Sequence, residues 1–214
     1  GRAYTGFGVG FSSLRIGDVE TSAFLRDVFT ELAALTPGPF LHIGGDEALG
    51  TSRDDYDAAI AEVTALVASL KKTPIAWHEA GTAARLAAGT IGQYWGFLRP
   101  VDGADEKARG FVERGGRLIL SPADAVYLDM KDSADCPLGL TWANGPTPLR
   151  HACVWEPTEV VAGVAEGDIL GVEAALWTET IRTEQDIQQM VFPRLAAAAE
   201  VAWSTGASRS WESF

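Results

Sequence analysis

The sequence predicts an α/β protein whose parallel strands belong to a (β/α) barrel, and three observations point there. Strand-like apolar runs alternate with helix-like segments along the chain, which favours parallel strands covered by helices. Acidic and aromatic residues fall where the strand-like runs stop: Asp46-Glu47, Trp77-His78-Glu79, Tyr94-Trp95, Ser121 and Trp177-Thr178-Glu179. Strand ends share one mouth in a barrel, so this placement favours a barrel over an open sheet. No Gly-x-Gly-x-x-Gly follows the first strand, which argues against a nucleotide-binding open sheet.

Phe24, Leu25, Val28, Phe29, Leu32 and Leu35 recur at helical spacing and predict a helix over Ser22–Leu35, ended by Thr36-Pro37-Gly38-Pro39. Phe40–Ile43 is a short apolar strand running into Gly44-Gly45. A helix over Asp54–Leu70 and a strand over Thr73–Trp77 follow, then a strand over Thr90–Trp95. Asp105–Arg114 reads as a helix stopped by Gly115-Gly116, and Arg117–Leu120 as a strand. Beyond a Pro- and Gly-rich loop, Thr158–Ala165 is expected to be a short helix and Ile169–Trp177 a strand. A helix over Glu184–Trp203 is kinked or broken at Pro193.

The 214 residues, 47% of them hydrophobic, suit one domain with a substantial core. A net charge of −12, with 17 scattered Lys and Arg residues, excludes a general nucleic-acid binder, since phosphate backbones are held by clustered cations. No apolar run approaches the roughly 20 residues needed to cross a bilayer, and Gly1–Gly10 lacks a signal-peptide pattern. Cys136 and Cys153 flank the Pro- and Gly-rich segment, where a disulfide and two free thiols are equally compatible readings. No His-Glu-x-x-His or paired Cys-x-x-Cys spacing occurs, so neither a metal nor another cofactor is expected.

Adjacent acids alone carry little meaning, because Asp54-Asp55 and Asp105-Glu106 also occur and suit a solvated face. The pair Asp46-Glu47 differs in context. It follows an apolar strand and two glycines, which free the turn to break the strand's side-chain alternation and present both acids to one ligand. Trp77, Trp95 and Trp177 stand at strand ends, where flat apolar faces stack beneath a sugar ring or else plug a core. Trp203 and Trp211 are assigned to packing, and Trp142 and Trp155 stay open between loop packing and a substrate subsite.

The string His42-Ile43-Gly44-Gly45-Asp46-Glu47 resembles the hallmark of family 20 glycoside hydrolases, the β-N-acetylhexosaminidases. Trp77-His78-Glu79, Tyr94-Trp95-Gly96, Tyr127-Leu128-Asp129, Trp177-Thr178-Glu179 and Pro193-Arg194 with Ala199-Glu200 and Trp203 follow in the family's order, in the manner of Streptomyces-like bacterial members. The resemblance implies a (β/α)8 TIM barrel and substrate-assisted hydrolysis, in which the substrate's 2-acetamido group replaces the enzyme nucleophile. It implies Glu47 as general acid and then base, and Asp46 as the ionised partner of the acetamide N–H. Tyr127 would hold the acetamide oxygen, the three tryptophans would wall the pocket, and Asp129 and Glu179 would accept from the sugar's 4- and 6-hydroxyls. His42 and Glu79 would support from behind, and the substrate would be an oligosaccharide or glycoconjugate ending in N-acetylhexosamine, met outside the cytoplasm.

A closed barrel of this type has eight strands and about 250 residues. Five strands are placed here, and the resemblance enters at the family's fourth. The expectation is a partial barrel, residues 1–214, without the first three strand-helix units and without the arginine, acid and histidine they carry. Its open edges would be covered by those units or by self-association. Against the hydrolase stands a second reading, a carbohydrate-binding remnant that keeps the tryptophan pocket without turnover.

Overall fold

In a computed structural model, which describes residues 4–8 and 10–214, the chain forms two compact units. One comprises Gly1–Gln93 with Gly110–Arg117, the other Tyr94–Arg109 with Leu118–Phe214. Gly1, Arg2, Ala3 and Val9, part of the stretch read for a leader pattern, lie outside the described residues.

The first unit is built on β1 (Phe40–His42), β2 (Thr73–Trp77) and β3 (Ile91–Tyr94, whose last residue falls in the second unit). All run parallel, with Leu41 opposite Pro74 and Ala76 opposite Gly92. Helix α1 (Val19–Leu35) starts three residues before the expected Ser22 because Asp18 caps it, accepting from the Glu20 N–H at 2.9 Å. It stops where the Thr36 hydroxyl and N–H both turn back to the Leu32 carbonyl, just ahead of Pro37. Helix α2 (Arg53–Ser69) is capped by Ser52, and Asp54 and Asp55 place negative charge at its positive end. Phe29, Leu41, Val63 and Val67 join α1, β1 and α2 in one apolar cluster, edged by Leu25, Ile43, Leu66 and Leu70. Helix burial therefore fixes the strand that delivers the acids.

Helix α3 (Ala104–Val112) brings Gly110 against the Gly81 carbonyl, and Arg114 clamps this approach by donating to the Gly81 and Gly110 carbonyls at 2.8 and 2.6 Å. In the second unit, β4 (Leu118–Leu120) pairs in parallel with β5 (Ile169–Val172), with a shift between Leu118 and Ile119. The short helices α4 (Ala123–Val126) and α5 (Leu149–Cys153) flank the Pro- and Gly-rich segment, and α6 (Glu184–Val191) and α7 (Arg194–Trp203) end the unit.

Several expectations are corrected, borne out or decided here. Thr158–Ala165 is not a helix: a 3-10 turn over Pro157–Glu159 gives way to bends, with Gly163 at φ +80° interrupting any continuation. Strand β5 ends at Val172 rather than Trp177. After Glu173 donates to the Leu120 carbonyl, Ala175 leaves the ladder and accepts instead from the Leu128 N–H at 2.7 Å. The last long helix breaks at Pro193 as expected, giving two helices, because Pro193 has no N–H to continue the ladder. Trp203, assigned to packing, is 90% exposed. Cys136 and Cys153 are both buried free thiols, and burial holds the Cys153 thiol above its usual pKa. Trp155 is buried with its indole N–H on the Ala152 carbonyl, and Trp211 packs beside Ala152, Cys153 and Ala197, so both serve packing.

The Gly110 contact separates two effects of opposite sign. Gly110→Ala should gain up to about 1 kcal/mol of helix propensity. A Cβ there would lie 2.2 Å from the backbone oxygen of Gly81, which cannot yield as a side-chain tip would. Overpacking of that kind costs about 1–3 kcal/mol and should win, so thermal unfolding of Gly110→Ala is expected at a lower midpoint. A raised midpoint would show that α3 moves away freely.

Candidate active site

The acid pair sits on a turn that ordinary residues do not adopt. Gly44 and Gly45 have φ of +76° and +100°, and Glu47 itself has φ +42°. Left-handed backbone is open to glycine and unfavourable for a residue with a Cβ, so Glu47 must be held there by its surroundings. The turn's backbone groups show how. The Gly44 N–H donates to His42 Nδ1 at 3.0 Å, and the Gly44 carbonyl accepts from the Trp77 N–H at 3.0 Å. The Gly45 carbonyl accepts from the Tyr56 hydroxyl at 2.5 Å, and the Glu47 carbonyl from the Leu49 N–H at 2.8 Å.

The result is two adjacent carboxylates, both exposed. Among the described residues, neither side chain is engaged in a hydrogen bond or ion pair, so both are available to a ligand. They line a cavity of about 450 Å³ together with Leu25, Phe29, Ile60 and Val63. The His42 ring lies 4.7 Å from that of Trp77, a tilted contact that joins the ends of β1 and β2. His78 is buried and Glu79 half-buried, with His78 Nδ1 3.5 Å from the Glu79 carboxylate. Their 3-10 turn (His78–Thr82) is tied to α2 by Arg53, which donates to Thr82 Oγ1 at 2.9 Å and to the Thr82 carbonyl.

The second unit holds a separate group of expected residues. Tyr127, only 3% exposed, meets Trp142 and Trp177 edge-on with ring centroids 5.8 and 6.0 Å away, and Trp142 meets Trp95 at 6.2 Å. Trp142 is thus drawn from the loop into the aromatic group. Trp177 remains 43% exposed, leaving an apolar face open.

Asp129, 2% exposed, accepts from the Trp177 N–H at 3.5 Å. Burial pushes its pKa from 3.8 up to about 6, and the nearby Glu179 charge adds to this, while two backbone hydrogen bonds and Arg194 pull it down. Glu179 itself is exposed. Asp46, Glu47, His42, Trp77 and Glu79 are therefore gathered in the first unit, and Trp95, Tyr127, Asp129, Trp177 and Glu179 in the second.

Two further residues matter to this geometry, one that the sequence reading passed over and one that it named only within a motif, without a role. Tyr56 holds the acid-bearing turn, and only its position ten residues after Asp46, in the first turn of the next helix, hinted at it. Arg194 is buried and donates to the Leu128 carbonyl at 2.6 Å and the Met190 carbonyl at 3.0 Å, anchoring the segment between Tyr127 and Asp129. Burial lowers its pKa, and the charges of Asp132 and Asp129 oppose that shift. A lone cation opening the otherwise small and apolar start of α7 was its available signal.

Parallel strands alternating with helices, with acidic and aromatic residues where the strands end, define the class as an α/β fold. The chain belongs to glycosyl hydrolase family 20, whose catalytic-domain description matches residues 51–206. It is 43% identical to a β-N-acetylhexosaminidase of Cellulomonas fimi over 211 residues, 99% of this chain and 41% of that protein. A solved family 20 β-N-acetylglucosaminidase is 57% identical, with a TM-score of 0.92 over 99% of this chain and 46% of that one. A mutant Streptomyces plicatus β-hexosaminidase solved with its product GlcNAc is 42% identical, with a TM-score of 0.91 over 98% of this chain and 42% of that one. The chain thus spans less than half the length of these relatives.

The raised pKa of Asp129 predicts a pH dependence of stability. Between about pH 3.8 and 6 the folded state holds more protons than the unfolded one, so stability falls as pH rises and is level above pH 6. The loss is on the order of 3 kcal/mol at most. Asp129→Asn should remove this slope, so urea titrations from pH 4 to 7 should show the variant gaining on the parent as pH rises. Parallel curves would contradict the burial argument.

Proposed function

We propose that this chain is the catalytic portion of a retaining exo-β-N-acetylhexosaminidase, and that the turn presenting Asp46 and Glu47 carries the chemistry. The observation that weighs most is a non-glycine acid held at positive φ beside a second acid, both unengaged among the described residues, just beyond the end of β1. Strain of that kind persists where a function depends on it. Family membership supports the assignment.

In this reading the substrate's 2-acetamido oxygen attacks the anomeric carbon while Glu47 gives its proton to the leaving glycosidic oxygen. The C–O bond to the aglycone breaks and an oxazolinium intermediate forms. Asp46 accepts from the acetamide N–H and offsets the positive charge that develops on the ring. Glu47, now a carboxylate, takes a proton from the incoming water, which opens the intermediate with net retention of configuration. Trp77, Trp95 and Trp177 enclose the acetamide and sugar faces, Tyr127 holds the acetamide oxygen, and Asp129 and Glu179 accept from sugar hydroxyls. His42 and Glu79 act from behind the acid turn.

Terminal N-acetylglucosamine or N-acetylgalactosamine is the proposed substrate, met outside the cytoplasm. The five strands are read as strands four to eight of a TIM barrel, one portion of a single catalytic domain. The remaining strand-helix units, or a second copy of the chain, would cover its open edges.

A second reading, a carbohydrate-binding remnant, draws on the aromatic group of Tyr127, Trp142 and Trp177. Glu47→Gln separates the two. The hydrolase should lose about 10²- to 10⁴-fold in kcat, the range for a general acid, while its affinity for N-acetylglucosamine stays within a few-fold. Unchanged turnover in Glu47→Gln would remove Glu47 from the mechanism. Binding without turnover in the parent, also when extended by its missing barrel units, would favour the remnant.

A further inference from the structure

The acid turn depends on three external supports, and two are built from its own sheet. His42 is one residue of β1, and the Trp77 N–H is the end of the β2 ladder. Tyr56 comes from elsewhere, the first turn of α2, and reaches across to the carbonyl of Gly45, the residue that directly precedes the acids.

Its own placement is rigid. The Tyr56 N–H bonds to the Ser52 carbonyl at 2.9 Å, Arg53 ties the same helical turn to Thr82, and Ile60 and Val63 bury the helix one and two turns further on. A Cβ built on Gly45 would lie 3.2 Å from Ile60 Cδ1 and 3.4 Å from the Tyr56 hydroxyl oxygen, so the turn is pressed against α2 without slack. Burial, together with the charges of Glu79, Asp46 and Asp57, holds the phenol proton on well above its usual pKa. The hydroxyl is thus a permanent donor to the Gly45 carbonyl at any pH where the acids work.

We propose that Tyr56 is a positioning residue for proton transfer: its hydroxyl, by fixing the Gly45 carbonyl, sets the left-handed backbone of Glu47 and hence the reach of the Glu47 carboxyl. The inference rests on the reading of Glu47 as general acid. Without the hydroxyl, the Gly45-Asp46 peptide rotates more freely, and two consecutive left-handed glycines offer little resistance of their own. Substrate binding by aromatic faces does not depend on that peptide, whereas a proton transfer needs its donor within hydrogen-bond reach. The loss should therefore appear in proton transfer by Glu47, first to the leaving oxygen and later from water, and not in binding.

Tyr56→Phe removes one oxygen and keeps the ring, so the packing against α2 survives. Its kcat/KM, which reports only as far as cleavage of the glycosidic bond and not the later step in which Glu47 takes a proton from water, is compared with the parent on two substrates, the β-linked disaccharide of N-acetylglucosamine and a dinitrophenyl N-acetyl-β-glucosaminide. The first has a leaving group that must be protonated; the second leaves as a stabilised phenolate and needs no acid. A net hydrogen bond of ordinary strength corresponds to about tenfold, so Tyr56→Phe should lose about tenfold in kcat/KM on the disaccharide and less than about twofold on the dinitrophenyl glycoside. The affinity for N-acetylglucosamine itself should be unchanged.

The ratio of the two rates is independent of how much protein is folded, so partial unfolding cannot imitate the result. Equal losses on both substrates, or no loss on the disaccharide, would overturn the positioning role of Tyr56. Glu47→Gln is run alongside. If it keeps turnover on the disaccharide, or if the parent cleaves neither substrate in a preparation extended by the missing barrel units, the general-acid reading fails first and takes this inference with it. If Glu47→Gln fails on the disaccharide while Tyr56→Phe does not, the fault lies with Tyr56 alone.

Discussion

The left-handed turn after β1 is the constraint on which the rest of the site depends. Side chains alternate across a strand, so two adjacent acids on a regular strand would point to opposite faces. Gly44 and Gly45 end the alternation, and the positive φ of Glu47 completes it at a cost that the chain meets through packing. The burial of Leu41 between α1 and α2 keeps β1 in register, and the hydrogen bonds from Trp77 and Tyr56 hold the two glycine carbonyls. Core packing and acid placement are thus one mechanical problem in the first unit.

The second unit solves a different problem, that of keeping polar groups within an apolar surround. Its segment 121–130 is buried throughout, yet it carries Asp124, Tyr127 and Asp129. Arg194 gives the Leu128 carbonyl a charged donor, and Ala175, having left β5, accepts from the Leu128 N–H. Asp124 is occupied similarly, accepting from the Leu98 N–H at 2.8 Å and from Asn144 at 3.3 Å. Each buried polar group is costly unless paired, so the pairing fixes the backbone between Tyr127 and Asp129 to within hydrogen-bond tolerance. The carboxylate of Asp129 is the group left most exposed to the penalty of burial, and its raised pKa records that.

Much of this was legible in the sequence where a local signal decides the outcome. The five strands stand where apolar runs meet turn residues, and α1 and α2 follow the 3.6-residue period to within a few residues. The acid pair was legible because two glycines after an apolar strand have few structural uses other than to let the chain turn. The failures share a cause: partners distant in the chain. Nothing local to Ile169–Trp177 says that Ala175 will pair with Leu128, so the strand was drawn too long. Trp203 was expected to pack because tryptophan usually does, and it stands open at the end of α7. Trp142 could not be assigned from a Pro- and Gly-rich loop, since its partners Trp95 and Tyr127 lie 47 and 15 residues before it. Tyr56 was overlooked, and Arg194 was given no role of its own, because each acts on a backbone carbonyl, which no residue pattern displays.

Acetamide participation is the central claim, and one measurement addresses it directly. Nitrophenol release from nitrophenyl N-acetyl-β-glucosaminide is followed with and without a thiazoline that mimics the bicyclic intermediate, alongside the corresponding glucoside, which has a 2-hydroxyl and no acetamide. Turnover of the acetamido substrate alone, abolished by the thiazoline, is the predicted result. Comparable turnover of the glucoside, or indifference to the thiazoline, would contradict a substrate-assisted mechanism and send the search to a protein nucleophile.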